Sequence, residues 1–351
     1  MKDKTRQSLV VALLCALALS FAVCGRMPAQ EANKDAPECE VQVVHLYGTP
    51  REKGLALGAA VKERVPILVE KYLMALVPNE QSQKTVVERG LSMEKYIPAE
   101  YIEEMKAAAE AAGVTYERIL VANTFLDVER TMFCSCFAVK GELTKKGTLL
   151  FGRNLDFVHK DIAHKHSVLA IYHGDADHKS FATLTWPGMI GTLSGMNESG
   201  LAVAVMNVHG YQDSIEGIPY TLLFRMVLEK CTTVDEAIEL VKSSPRTAGN
   251  NLMVCDSRKD AVVIEMTCKR VGVRRIKNDA IISTNHFRTK ELERIASCPR
   301  FSSLSTQIKR VRTAIAGAST EAAEAARIDV AAAAKMLDIV AFNTPLVATM
   351  Q

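Results

Sequence analysis

A chain of 351 residues, 48% of them apolar, can bury one large core or two smaller ones, and its 43 basic and 40 acidic residues nearly cancel. That balance gives no sign of a nucleic-acid binder, whose basic residues cluster on one face or along a helix. Lys145-Lys146 and Arg274-Arg275 read as solvated turn or strand-edge charges, with recognition of an anionic substrate the alternative.

Lys2, Lys4 and Arg6 followed by the uncharged stretch Leu9 to Val23 have the form of a secretory signal, too short for a comfortable membrane span. Residues 1–30 are therefore expected to direct export to a periplasmic or extracellular space. A retained N-terminal anchor and lipidation at Cys24 are the alternatives. Of nine cysteines, Cys15 and Cys24 fall in this segment. The remaining seven fit one free thiol plus disulfides in an oxidising compartment, and without a CxxC pair a structural zinc is not expected. Cys231, Cys255 and Cys268 read as core residues.

Glu31 to Glu40 reads as a linker, Val41 to Tyr47 as a strand, and the Gly48, Gly54, Gly58 run as the start of a helix to about Leu76. Helices are expected over Gln83–Lys95, Ala99–Ala112 and Tyr116–Leu126, with breaks at Pro98 and Gly113. Residues 31–133 thus form a helical front segment. From Phe133 the pattern changes to short strands: Cys134–Val139, Thr148–Asp156, Ser167–Tyr172, Phe181–Trp186, Leu201–Asn207, Asn251–Cys255, Ala261–Met266, Val271–Ile276 and Ala280–Thr284. Helices Pro219–Cys231 and Val234–Ser243 interrupt them. Helices are expected again over Phe301 to about Ala316 and Asp329–Ile339, with a loosely ordered Ala-rich stretch between. Strands and helices in separate blocks suit an α+β fold, two packed sheets covered by helices in four αββα layers, over residues 134–351.

The hairpin of the first two of these strands brings Cys134 close to Arg153, Asn154 and Asp156, and a cation and a carboxylate beside a thiol can set its ionisation and orient it. Cys134-Ser135-Cys136-Phe137-Ala138 followed by Gly152-Arg153-Asn154-Leu155-Asp156 resembles the opening hairpin of N-terminal-nucleophile hydrolases. The likeness is to the penicillin acyltransferase-like (peptidase C45) family, related to acid ceramidase and choloylglycine hydrolase. It implies autoproteolysis at Phe133-Cys134, after which Cys134 is nucleophile and its own α-amine, with a reference pKa near ~8, is base. Cys136 is the competitor. The resemblance puts Arg153 beside the sulfur and Asp156 on the α-ammonium. Asn207, ending the strand after Met196-Asn197-Glu198-Ser199-Gly200, falls at the oxyanion position, and Asn285 matches a residue that orients the carbonyl or nucleophile. Arg300 matches a late active-site arginine, and reads equally as a helix-start charge.

Asn250, Asn251 and Glu265 also resemble the family's pattern but are read as scaffold, and relatives continue with further hairpins beyond Asn343 to Gln351, which implies a C-terminus that is incomplete. A papain-like Cys/His dyad is the rival mechanism, with His159, His164, His166, His173, His178, His209 and His286 as sources of the base. His164 and His166 could share a strand face as a metal pair but lack a third ligand; no metal or cofactor is expected. The expected activity is hydrolysis of a linear amide in an N-acylated small molecule through a thioester. Acyl transfer to an amine is the near variant, and a phospholipase B-like or non-catalytic lipid-binding protein the alternative. The two processed fragments would form a heterodimer, and substrate would be chosen by the loops Phe157–His166, Trp186–Gly191 and His209–Pro219.

Overall fold

A computed structural model describes residues 41–129, 132–157, 162–208, 213–292 and 298–340, together with the backbone of 348–350. Residues 1–30, expected to be a signal, together with Cys39, His159 and His209 lie outside the described residues. The first strand, β1 (Gln42–Leu46), leads into α1 (Pro50–Val61), whose start is fixed by a reciprocal cap: Thr49 accepts from the Glu52 N–H and the Glu52 carboxylate accepts from the Thr49 N–H. Instead of running straight to Leu76, the helix breaks after Val61 into a short 3₁₀ turn and a π-helical segment over Ile67–Leu73. The helices α2 (Glu80–Met93), α3 (Ala99–Ala112) and α4 (Tyr116–Val128) follow. The glycine spacing in α1 has a packing cause. A Cβ at Gly54 or Gly58 would lie 2.2 Å from the Glu104 carbonyl or 2.3 Å from the Ala108 carbonyl of α3. α3 ends at Gly113, which takes up the left-handed conformation at φ 70.

Two sheets form the centre. The larger has the order β1-β4-β5-β6-β7-β8-β9-β10, built from β4 (Val168–Tyr172), β5 (Phe181–Thr185), β6 (Ser194–Asn197), β7 (Ala202–Asn207), β8 (Asn250–Cys255), β9 (Ala261–Met266) and β10 (Val271–Arg275). The smaller has the order β11-β2-β3-β12, from β2 (Phe133–Val139), β3 (Leu150–Asp156), β11 (Ala280–Thr284) and β12 (Ala348–Met350). β2 stacks on β7, and α5 (Tyr220–Lys230) with α6 (Val234–Ser243) covers the far face of the larger sheet. α7 (Pro299–Ile315) and α9 (Val330–Asp338) cover the smaller one, completing the expected αββα layering.

Side chains along β2 alternate between layers as a strand requires. Cys134, Cys136 and Ala138 join the core between the sheets, whereas Phe137 and Val139 join the cluster under α7 and α9. Gly152 of β3 is confined on that outer face: a Cβ would sit 3.1 Å from both Leu337 and Phe137.

Three expectations need correction. The short strand β6 was not foreseen, the stretch before α9 contains α8 (Thr320–Ala326) capped by Ser319 instead of loose chain, and no described cysteine is in a disulfide.

The helical front is tied to the sheets by a buried ion cluster. Arg225 of α5 donates to Glu104 of α3 at 2.7 Å and to Glu229 at 2.8 Å, with its guanidinium over the rings of Tyr101 and Tyr172. The Tyr172 hydroxyl donates to Glu104 at 2.9 Å and the Tyr101 hydroxyl donates to Glu229. Every carboxylate there has its partner, which makes such burial tolerable.

Candidate active site

Pairing of β2 with β3 sets Cys134 opposite Leu155 and Cys136 opposite Arg153, so Arg153 shares the inner face with both thiols. Arg153 Nη2 lies 3.5 Å from Cys134 Sγ and is held by donation to the Val205 carbonyl at 2.7 Å. Burial pushes the Cys134 thiol above its ordinary range; Arg153 opposes this, Asp156 adds to it, and Arg300 and the Asn207 main-chain N–H oppose it. The resting sulfur is therefore a thiol that needs a base. Cys136, as fully buried as Cys134, lies 3.4 Å from the Met253 sulfur, and burial drives its thiol well above the ordinary range. That environment makes it an inert core residue.

The main chain of Cys134 is held as firmly as its sulfur. Its N–H donates to Asn285 Oδ1 at 2.6 Å, and its carbonyl accepts from Arg300 Nη1 at 2.6 Å. Arg300 Nη2 donates to the same Asn285 oxygen at 2.8 Å, while Asn285 Nδ2 donates to the carbonyls of Asn207 at 2.6 Å and Met132 at 3.3 Å. Arg300, ambiguous in sequence, thus lies in the site, with Asp156 Oδ2 3.6 Å from its Nη1. Burial lifts the Asp156 carboxyl to about 6, against the pull of Arg300 and Arg153.

Two side chains carry unused hydrogen-bonding capacity. Both Asp156 oxygens, and both polar atoms of the Asn207 amide, are buried with no hydrogen-bond partner among the described residues. A buried polar group left so costs ~1–3 kcal/mol. The Asn207 amide, on the strand stacked against β2, can donate to an oxyanion, and the Asp156 carboxylate can accept from a cation.

Outlying residues fix the loop that bears Asn285. Asn251 Nδ2 donates to the carbonyls flanking it, Thr284 at 2.8 Å and His286 at 2.9 Å. Glu265 binds Arg274 at 2.7 Å and accepts from the N–H groups of Arg288 and Thr289. Sequence reasoning missed Cys298. Burial raises its pKa, but hydrogen bonds from His286 and Thr284, the Phe301 main chain and the charge of Arg300 outweigh that and bring it to about 6. His286 and Thr284 come from outside the Cys298–Phe301 turn, so no local motif announced this cluster. Cys134 itself is acted on by Arg153, Asp156, Arg300 and Asn207 rather than by an imidazole. Among the described residues no group of three His, Cys, Asp or Glu could hold a metal ion, and His164 and His166 gain no third ligand.

Beside Cys134 lies an apolar cavity of about 50 Å³ lined by Phe125, Leu126, Met132, Leu155, Trp186 and Leu193 among others. Met132 closely precedes Cys134 and Leu155 faces it across the hairpin. Trp186 is oriented by donation to the Ala163 carbonyl at 3.0 Å. The loops expected to line a pocket contribute Phe157, Ala163, Trp186 and Met189; α4 and the π-helical segment supply a wall that the sequence did not suggest.

Residues 143–328, over half of the chain, match the family model of acyl-coenzyme A:6-aminopenicillanic acid acyl-transferase. The chain belongs to this family. The matched stretch contains Arg153, Asp156, Asn207, Asn285 and Arg300 and begins after Cys134. The protein dcd1A of Dictyostelium discoideum is 28% identical over 244 residues, 60% of this chain and 55% of that protein. The 40 kDa form of acyl-coenzyme A:6-aminopenicillanic-acid-acyltransferase of Emericella nidulans is 28% identical over 261 residues, 69% of this chain and 68% of that one. The chain spans about half the length of the curated relatives it matches first. Among solved structures, the Caenorhabditis elegans ortholog of N-acylethanolamine-hydrolyzing acid amidase superposes with a TM-score of 0.46 at 16% identity, covering 62% of this chain and 91% of that one.

Proposed function

We propose that this family member is an exported, self-processing cysteine amidohydrolase that cleaves a linear amide of an N-acylated small molecule. What carries the reading is the convergence on Cys134 of Arg153 at its sulfur, Asn285 and Arg300 on its main chain, and the unsatisfied Asn207 amide on the facing strand. In the precursor, Sγ attacks the Phe133 carbonyl carbon, its proton passes to the departing Cys134 nitrogen, and water hydrolyses the resulting thioester. The freed α-amine of Cys134 then accepts the thiol proton in each turnover as Sγ adds to the substrate carbonyl. Asn207 donates to the tetrahedral oxyanion, the amine leaves protonated, and water resolves the acyl thioester. An amine in place of water gives acyl transfer, a variant supported by the family itself. The apolar cavity suits the acyl part of the substrate.

Intact-mass analysis of protein secreted by the producing cell tests the scheme. Wild type should lack the N-terminal segment and appear as two fragments meeting at Phe133-Cys134, whereas Cys134→Ala should stay joined there and be inactive on N-acyl amides. Active wild type with an unbroken Phe133-Cys134 bond would refute self-processing. A lipid-binding protein without activity would need neither the cut nor Cys134.

A further inference from the structure

On the far side of the Arg300 turn, β10, β11 and α7 enclose a groove of about 710 Å³. Its wall carries Arg274, Arg275, Lys277, Arg288, Lys309 and Arg312 and, among the described residues, no acidic one. Arg274 is neutralised by Glu265 at 2.7 Å, and Arg275 by Asp260 at 2.5 Å and by Asp235. The remaining four have no ion pair among the described residues, so the pair Arg274-Arg275, read in sequence as edge charges with an anion as the alternative partner, borders a larger cationic site. Asp279 is turned away, accepting from the Glu142 N–H at 3.1 Å. The floor is apolar, with Ile281 and Ile308 buried, and Arg288 is braced over the Phe301 ring at 4.2 Å.

Four like charges around an apolar concavity repel one another and focus a positive potential into it, and a multivalent anion relieves that repulsion. Phosphate groups answer this chemistry best, since their oxygens take several charge-assisted bonds from Lys and Arg at once. We propose that the groove binds a phosphate-bearing ligand, either a soluble phosphate ester or a phospholipid headgroup, next to the active site. Phe301 in its wall directly follows Arg300, so a bound phosphate occupies the outer side of the helical turn whose inner side meets Cys134 and Asp156.

Lys277 and Lys309 are exposed and their side chains have no hydrogen-bond or ion-pair partner among the described residues, so reversing them leaves the fold intact. Binding of sodium pyrophosphate to the full chain is measured by calorimetry at low ionic strength, and flotation is measured with phosphatidylcholine vesicles with and without phosphatidylglycerol. Lys277→Glu/Lys309→Glu should weaken binding by roughly tenfold or more, whereas the control Lys62→Glu/Lys71→Glu, with the same change in net charge, should bind as wild type does. Selective loss of pyrophosphate binding identifies a soluble ligand, and selective loss of vesicle binding identifies a headgroup. Equal weakening in both double variants, or no binding of either probe by wild type, overturns the proposal.

Discussion

Replacing Asp156 by Asn should make the uncut protein more stable at neutral pH while abolishing its chemistry. The carboxyl is 3% exposed and lacks a hydrogen-bond donor among the described residues, where its ion pair is with Arg300 at 3.6 Å. Its pKa accordingly rises from an ordinary 3.8 to about 6. An acid whose folded pKa lies above its unfolded one keeps a proton in the native state that the unfolded chain has shed. Stability therefore falls as pH rises through the window between those values and is level above about 6. At ~1.36 kcal/mol per unit the ceiling is ~3 kcal/mol, and water reaching the site reduces it to ~1–2 kcal/mol. Urea unfolding of Cys134→Ala and of Cys134→Ala/Asp156→Asn from pH 4 to 7 isolates the effect, because all other titrating groups are common to both. The double variant should gain stability relative to the single one as pH rises, and the difference should stop growing above about pH 6. Parallel curves, or a double variant that loses ground with rising pH, would refute the claim that Asp156 is held in an unfavourable environment.

Asn207→Ala should lower kcat by roughly 10²–10³-fold with melting temperature unchanged or raised, since the amide makes no hydrogen bond among the described residues. Iodoacetamide at mildly acidic pH should alkylate Cys298 before Cys134, because their thiols are shifted in opposite directions; peptide mapping that finds Cys134 modified first contradicts this. Arg225→Met strands Glu104 and Glu229 as buried charges and should cost about 3–5 kcal/mol in urea unfolding, and a loss below about 1 kcal/mol would mean the cluster is not held as described.

Where the chain's own periodicity was strong, sequence and structure coincide. β2 and β3 were legible because apolar and polar positions alternate across a turn, and α1 because its glycines match the approach of α3. β6 escaped notice because four residues including Gly195 make too short a pattern, and α8 because alanine and glutamate without an apolar face resemble solvated chain. Cys134, Arg153 and Asp156 could be grouped beforehand since one hairpin holds all three. The place of Arg300 could not be decided from sequence, because its contacts depend on how α7 lies across β2. The Cys298 cluster and the cationic groove are likewise products of packing between remote segments, invisible to any local pattern.

The Arg225 cluster joins residues that a cut at Phe133-Cys134 would assign to different polypeptides, Tyr101 and Glu104 on one and Tyr172, Arg225 and Glu229 on the other. Prying the halves apart would strand Glu104 without its cation and tear open the aromatic sandwich around the guanidinium. A nick there would free an amine without freeing a subunit, and each molecule would keep for life the N-terminal piece with which it was made.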